Sequence, residues 1–183
     1  MRAAVLTAKQ SIETVNQDEQ GLGPTGVRVR IRAGGICGSD LHYFHHYRMG
    51  DFPVREPFVL GHEAAGDVAE IGPEVTLVKV GDKVTVNPSH PCGSCEFCLV
   101  GRALLCSDMV FLGSSRRSPH AQGMFAETYA TDEVQCFVVP DDLSINAAAF
   151  AEPLSVALHA TGQAGPLLGA NVLISGSGPI GSL

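Results

Sequence analysis

The feature that most constrains this sequence is a run of cysteines, Cys92-x2-Cys95-x2-Cys98-x7-Cys106, which puts four of the chain's six cysteines into one loop. Four thiolates at that spacing can close tetrahedrally on a single Zn²⁺. No coordination position is left open, so the product is a structural site that contributes folding energy. Two local disulfides are disfavoured. The start, MRAAVLTAKQ, has no signal-peptide core, and the apolar stretches, Ile145 to Phe150 among them, fall far short of a membrane span. The chain is therefore expected to be soluble and cytoplasmic, where thiols stay reduced. An iron–sulfur cluster also begins Cys-x2-Cys-x2-Cys, but its fourth cysteine follows after three residues and precedes Pro, whereas the gap here is seven. Zinc is preferred.

Composition fits a folded domain around that lobe. Hydrophobic residues make up 45% and charged residues 17% of the 183, which predicts a core and argues against disorder. The net charge is −7 with no basic tail, so nucleic-acid binding through phosphate contacts is not expected. The 21 glycines and 11 prolines suit short strands better than long helices. Val27, Val29 and Ile31 alternate with Arg28, Arg30 and Arg32, the period of a strand with one buried face and one solvated face. Further apolar runs at Val59-Leu60, Val68 to Ile71, Val84 to Val86 and Val134 to Val139 are separated by Gly, Pro and Asp. That pattern predicts a small β-barrel or sandwich.

Near Ser144 the texture changes. Ile145 to Ala151 is Ala-rich and helix-compatible, and Pro153 suits the first turn of a further helix whose Leu154, Ala157 and Leu158 share a face. Gly165-Pro166 stops it. Val172 to Ile174 then reads as a short buried strand running into Gly176-Ser177-Gly178-Pro179-Ile180-Gly181. Strand, glycine turn and helix start are the opening of a dinucleotide-binding unit, with Gly176, Gly178, Pro179, Ile180 and Gly181 as cofactor-binding candidates. The sequence stops at Leu183, before a second strand or the acidic residue that would hold a ribose, and reads as cut off. This chain is expected to be inactive by itself.

A second constellation is scattered through the first two-thirds: Gly35-Ile36-Cys37-Gly38-Ser39-Asp40-Leu41-His42, then Gly61-His62-Glu63, then Glu152-Pro153. Each piece alone is weak. A lone cysteine is usually core packing, and His62-Glu63 is not followed by a second histidine at helical spacing. Together they offer one thiolate, one imidazole and two carboxylates, which suits a zinc site with a position left for water or substrate.

These motifs, in this order, resemble the zinc-dependent medium-chain alcohol and polyol dehydrogenases, over essentially the whole chain. GGICGSDLHY, NPSHPCGSCEFC and ISGSGPIG are most similar to the branch acting on L-idonate, sorbitol and xylitol. The resemblance implies a mainly β fold with some α: a GroES-like β-barrel catalytic domain over 1–150, with a structural zinc lobe at about 90–108. Residues 151–183 would be a linker helix and the truncated start of a Rossmann cofactor domain. It also implies two zinc ions per chain, NAD or NADP, a polyol or sugar-acid substrate, no membrane partner, and a homo-oligomer in the full-length protein. The catalytic zinc would be held by Cys37, His62 and a glutamate, and the sequence leaves open whether Glu63 or Glu152 binds it directly. Ordinary alcohol dehydrogenases place a cysteine where this chain has Glu152, so the glutamate is the polyol-branch pattern.

The implied reaction oxidises a secondary alcohol and passes hydride to the nicotinamide. Ser39 would accept the hydroxyl proton and hand it towards His42 and solvent, and Asp40 would orient His62. Tyr43 and Phe111 resemble substrate-pocket positions but suit core packing equally. His45, His46, His90, His120 and His159 read as surface or satisfied histidines, Cys136 as inert, and Arg116 and Arg117 as solvated. Two other classes fit part of the pattern. A non-catalytic zinc-binding interaction module explains the cysteine lobe but not Cys37, Ser39, His62 and Glu152 together, and an iron–sulfur electron carrier needs a different fourth spacing.

Overall fold

A computed structural model describes residues 1–183. The strands are β1 (Arg2–Ala8), β2 (Ser11–Asn16), β3 (Gly26–Gly35), β4 (Arg48–Met49), β5 (Phe52–Pro53), β6 (Phe58–Val59), β7 (Glu63–Ile71), β8 (Lys83–Val86), β9 (Ser89–His90), β10 (Val110–Phe111), β11 (Thr128–Asp132) and β12 (Cys136–Val138). The helices are α1 (Gly38–His46), α2 (Glu96–Leu99), α3 (Ile145–Ala148), α4 (Ala151–Gln163) and α5 (Pro179–Ser182). A five-stranded sheet runs β11-β3-β7-β8-β12 and a three-stranded sheet runs β2-β1-β6, with all pairings antiparallel.

Residues 123–127 stitch the two sheets into a barrel. Gly123 and Phe125 donate backbone N–H bonds to Val59 and Leu60, Glu127 donates to Arg2, and Ile31 donates to the carbonyl of Glu127. The alternation in β3 is realised as its period requires. Val27 and Val29 are fully buried and join Ala64, Val68, Val84, Val86 and Met124 in the main core. On the other face Arg30 and Arg32 are exposed, with Arg32 paired to Asp67 at 3.1 Å, while the Arg28 side chain is mostly covered and pairs with Glu70 at 2.9 Å.

Four expectations need correction. The run from Val134 to Val139 is not one strand. A 3₁₀ turn at Glu133–Gln135 precedes the short β12 and leaves Val134 exposed. The cause is polar: the buried Glu133 carboxylate turns inward to accept the N–H groups of Thr76 and Leu77 at 2.6 and 2.7 Å. The Ala-rich stretch is not helical through Ala151: α3 ends at Ala148 and Ala151 already opens α4, so the second helix starts two residues before Pro153 and holds Glu152 in its first turn. On α4 the buried residues are Pro153 and Ala157, while Leu154 and Leu158 face outward. Val172 to Ile174 forms no strand and is exposed, because no neighbouring strand offers a ladder. No helix is long and apolar enough to cross a membrane.

Candidate metal centre

The register between β3 and β7 builds this site. Gly35 stands opposite Glu63 in the ladder, so the residues just after β3 and at the start of β7 meet at one end of the barrel. Cys37 follows β3 and is the N-cap of α1. His62 follows Gly61, whose φ of +92° lets the chain turn into β7 and whose missing Cβ leaves room for the Phe125 ring. The ligand-capable atoms of Cys37, His62 and Glu63 lie within 4.8 Å of one another.

Asp40 ties the two segments together. One carboxylate oxygen accepts the Cys37 N–H at 2.9 Å and the other accepts the Gly61 N–H at 3.1 Å. The latter oxygen also stands 3.9 Å from His62 Nδ1, beyond hydrogen-bond distance. Asp40 thus holds the backbones that present the donors. Phe111 packs its ring 5.2 Å from that of His62.

The residues fit a borderline divalent cation on chemical grounds. A thiol, an imidazole and a carboxylate converge, and His62 Nδ1 is buried without a hydrogen-bond partner. The electrostatics point the same way. Cys37 is held below the ordinary thiol range by a hydrogen bond with His62, with further bonds from the hydroxyl and N–H of Ser39. Burial opposes the charged form of His62, but the Cys37 bond and the charges of Asp40, Cys37 and Glu152 outweigh it, so His62 is raised. Burial pushes the carboxyls of Asp40 and Glu152 up. A bound cation would favour the ionised form of each.

Glu152 is half-buried and feels both His62 and Glu63, but it is outside the converging set. Ser39 is directed at the Cys37 sulfur, and His42 is exposed one turn further along α1, with no direct hydrogen bond between the two. Tyr43 is core: its hydroxyl accepts the Ser115 N–H at 3.0 Å and its ring meets Phe58 edge-on. His120 is buried and satisfied, accepting the Arg55 N–H at 2.9 Å and pairing with the Arg117 carbonyl at 2.6 Å. Cys136 is buried, which pushes its thiol up to about 12. One positioning residue, Phe125, escaped the sequence reading, and Gly35 stood in the motif without an assigned role. Only the position of Gly35, two residues before Cys37, hinted at a role.

The second cluster is the cysteine lobe. The sulfurs of Cys92, Cys95, Cys98 and Cys106 converge within 4.8 Å, none in a disulfide. Backbone N–H groups of Cys92 and Cys95 point at the sulfurs of Cys106 and Cys92, at 3.2 and 3.3 Å. Backbone N–H bonds at Cys98 and Ser107 bring Cys95 down to about 5, while burial and the bond with Cys95 push Cys98 up to about 12. Four thiols so close cannot all ionise unless a cation joins them. The glycine turn, in contrast, stands apart from both clusters. Gly176, Gly178, Pro179 and Ile180 are exposed and Gly181 half-buried, around the four-residue α5.

Comparison with known proteins agrees with this architecture. Residues 23–141 match the alcohol dehydrogenase GroES-like domain. The chain is 41% identical over 182 residues to L-idonate 5-dehydrogenase (NAD(P)(+)) of Escherichia coli K12, covering 100% of this chain and 52% of that protein. It is 41% identical over 188 residues to sorbitol dehydrogenase of Bacillus subtilis, covering 99% of this chain and 50% of that one. The crystal structure of the E. coli L-idonate 5-dehydrogenase superposes with a TM-score of 0.93 at 40% identity, over 98% of this chain and 51% of that chain. The chain spans about half the length of the curated relatives it matches.

Proposed function

The chain belongs to the alcohol dehydrogenase family with a GroES-like domain, and from that premise we propose that it forms the catalytic part of a zinc-dependent polyol or sugar-acid dehydrogenase, with L-idonate as the leading substrate. The observation that carries this reading is the convergence of Cys37, His62 and Glu63 at one end of the barrel. A second site of four cysteines stands apart from it. In this reading residues 1–150 are the catalytic domain, and 151–183 open a cofactor domain in which Gly176, Gly178, Pro179, Ile180 and Gly181 approach the pyrophosphate.

Zinc held by Cys37, His62 and Glu63 would supply a Lewis acid that makes a secondary hydroxyl acidic near neutrality, and NAD or NADP the hydride acceptor. Everything else falls to the chain's own residues. Asp40 fixes the Cys37 and Gly61 backbones so that the donors keep their geometry. Ser39 accepts the substrate's hydroxyl proton in the same step as it releases its own hydroxyl proton towards His42, which is exposed and exchanges it with water. Phe111 shields the His62 face. The proximity of Glu63 supports it over Glu152 as the metal's carboxylate; Glu152, half-buried beside them, is then free to bind a substrate hydroxyl or water. Cys92, Cys95, Cys98 and Cys106 take a second, structural zinc. The six free thiols suit the cytoplasm, and the exposed Leu99, Val100 and Leu104 on the lobe suit a homo-oligomer.

Metal analysis tests the proposal. Two zinc per chain are expected, one lost in His62→Ala and the other in Cys98→Ser. A single zinc that survives His62→Ala would leave only a structural module, and iron would overturn both sites. In the full-length protein, Ser39→Ala should keep the metal and lose about 10² to 10⁴ in rate, the usual worth of a positioned proton acceptor.

A further inference from the structure

The exposed side of α1 carries histidines that the reading above does not use as ligands. His42 and His46 stand at i and i+4, both exposed, with ring centroids 5.1 Å apart and planes tilted by 50°. His45 is exposed as well, but its ring centre is 6.3 Å from that of His46, and it meets the Phe44 ring edge-on at 5.1 Å.

We infer that His42 and His46 form a surface chelate for one borderline divalent transition-metal ion, of the zinc, nickel and copper class, separate from both clusters described above. Residues four apart on a helix share a face, and paired histidines at that spacing present two nitrogens to one metal. The 5.1 Å separation agrees with chelation. With metal–nitrogen bonds of ~2.1 Å each ring centre stands ~3.2 Å from the metal, and at a tetrahedral angle two such centres are ~5.2 Å apart. Neither ring is buried, so core packing does not impose their pairing. Imidazole selects this class of ion over calcium or magnesium, which prefer oxygen. His46 is the last residue of α1, where the helix dipole favours a cation. The remaining coordination positions face solvent and take water. Occupation would withdraw His42 from the proton relay; that consequence rests on the proposed dehydrogenase function, whereas the site itself does not.

The test uses the untagged 183-residue chain, loaded with zinc and freed of excess. It is titrated with NiCl₂ by calorimetry and passed over immobilised nickel nitrilotriacetate, whose two open positions match two imidazoles. One saturable nickel site per chain is expected, with zinc content unchanged. Binding should weaken about 10²-fold in His42→Asn and in His46→Asn, as when the effective concentration of a second ligand is lost, and persist in His45→Asn. These are exposed positions, so the variants fold as the parent does, which circular dichroism checks. Parental nickel binding in His46→Asn, or displacement of zinc as the only event, would overturn the site. Either result leaves the zinc stoichiometry test of the dehydrogenase reading untouched.

Discussion

Asp40 makes the clearest case at the scale of a single residue. Its two oxygens accept N–H groups from Cys37, itself one of the converging set, and from Gly61, the residue before His62. In Asp40→Asn the amide nitrogen faces one of those N–H groups and leaves it unpaired in a buried site, a loss of about 1–3 kcal/mol. Urea unfolding should register that loss, and competition with a chromophoric chelator should show zinc affinity down by about 10- to 100-fold. Parental values in both assays would remove Asp40 from the positioning role.

Cys136 gives a pH prediction at the same scale. Burial raises its thiol to about 12, against an ordinary value of 9.0. Above pH 9 the unfolded chain therefore loses this proton before the folded one does. The stability is fully present below pH 9 and declines as pH rises towards 12, by about 1 kcal/mol per pH unit. Tyr129, also raised to about 12 by burial, adds to the decline from pH 10 upward. Cys136→Ala should flatten the fall in urea midpoint between pH 9 and 10.5. An unchanged slope would show that the thiol is not the titrating group.

At the scale of elements, the β3–β7 register decides which glutamate reaches Cys37 and His62. A Cβ added at Gly35 would collide with the Glu63 carboxylate, the far end of a flexible side chain, so the side chain can swing aside without moving the strands. Gly35→Ala should leave the thermal midpoint within a few degrees of the parent while cutting affinity for the zinc proposed at Cys37, His62 and Glu63 at least tenfold, as misplacing a ligand does. Intact affinity would point to Glu152 instead. Elements were also where periodicity misled. The Val134 to Val139 run carries a strand-like composition, but a buried Glu133 that serves the N–H groups of Thr76 and Leu77 breaks it. Such a contact spans 57 residues and leaves no local signal.

At the scale of the whole molecule, the two sheets are joined through residues 123–127, and the last twenty residues belong to neither sheet. Leu168, Leu173 and Ile174 are largely exposed, and the glycine turn has no neighbouring strand to hold it in shape. The helix that would present its N–H groups to a pyrophosphate has four residues, well short of the ~12 an isolated helix needs. Calorimetric titration of NAD and NADP against this chain should give binding no tighter than about millimolar, which corresponds to about −4 kcal/mol. Tighter binding would show that the tail forms a cofactor site without further strands. Brief proteolysis should cut first between Gly165 and Gly178.

The cysteine lobe was legible because its chemistry is local: four sulfurs within one loop meet whatever the rest of the chain does. The alternation of β3 was legible for the same reason, since a two-residue period sets its faces before any partner is known. Short range also explains the turn of α4 at Gly165. Donor types at the second site could be named from Cys37, His62, Glu63 and Glu152, but the sequence could not choose between the glutamates. The tertiary structure brings Glu63, and not Glu152, beside Cys37 and His62, because Gly35 opposite Glu63 is a pairing across 28 residues, fixed by which faces of β3 and β7 bury their apolar side chains together. The tertiary structure likewise decided that Asp40 serves two backbones and that Val172 to Ile174 stay unpaired. A hydrogen bond or a ladder depends on what the fold brings alongside, and no local pattern encodes a distant partner.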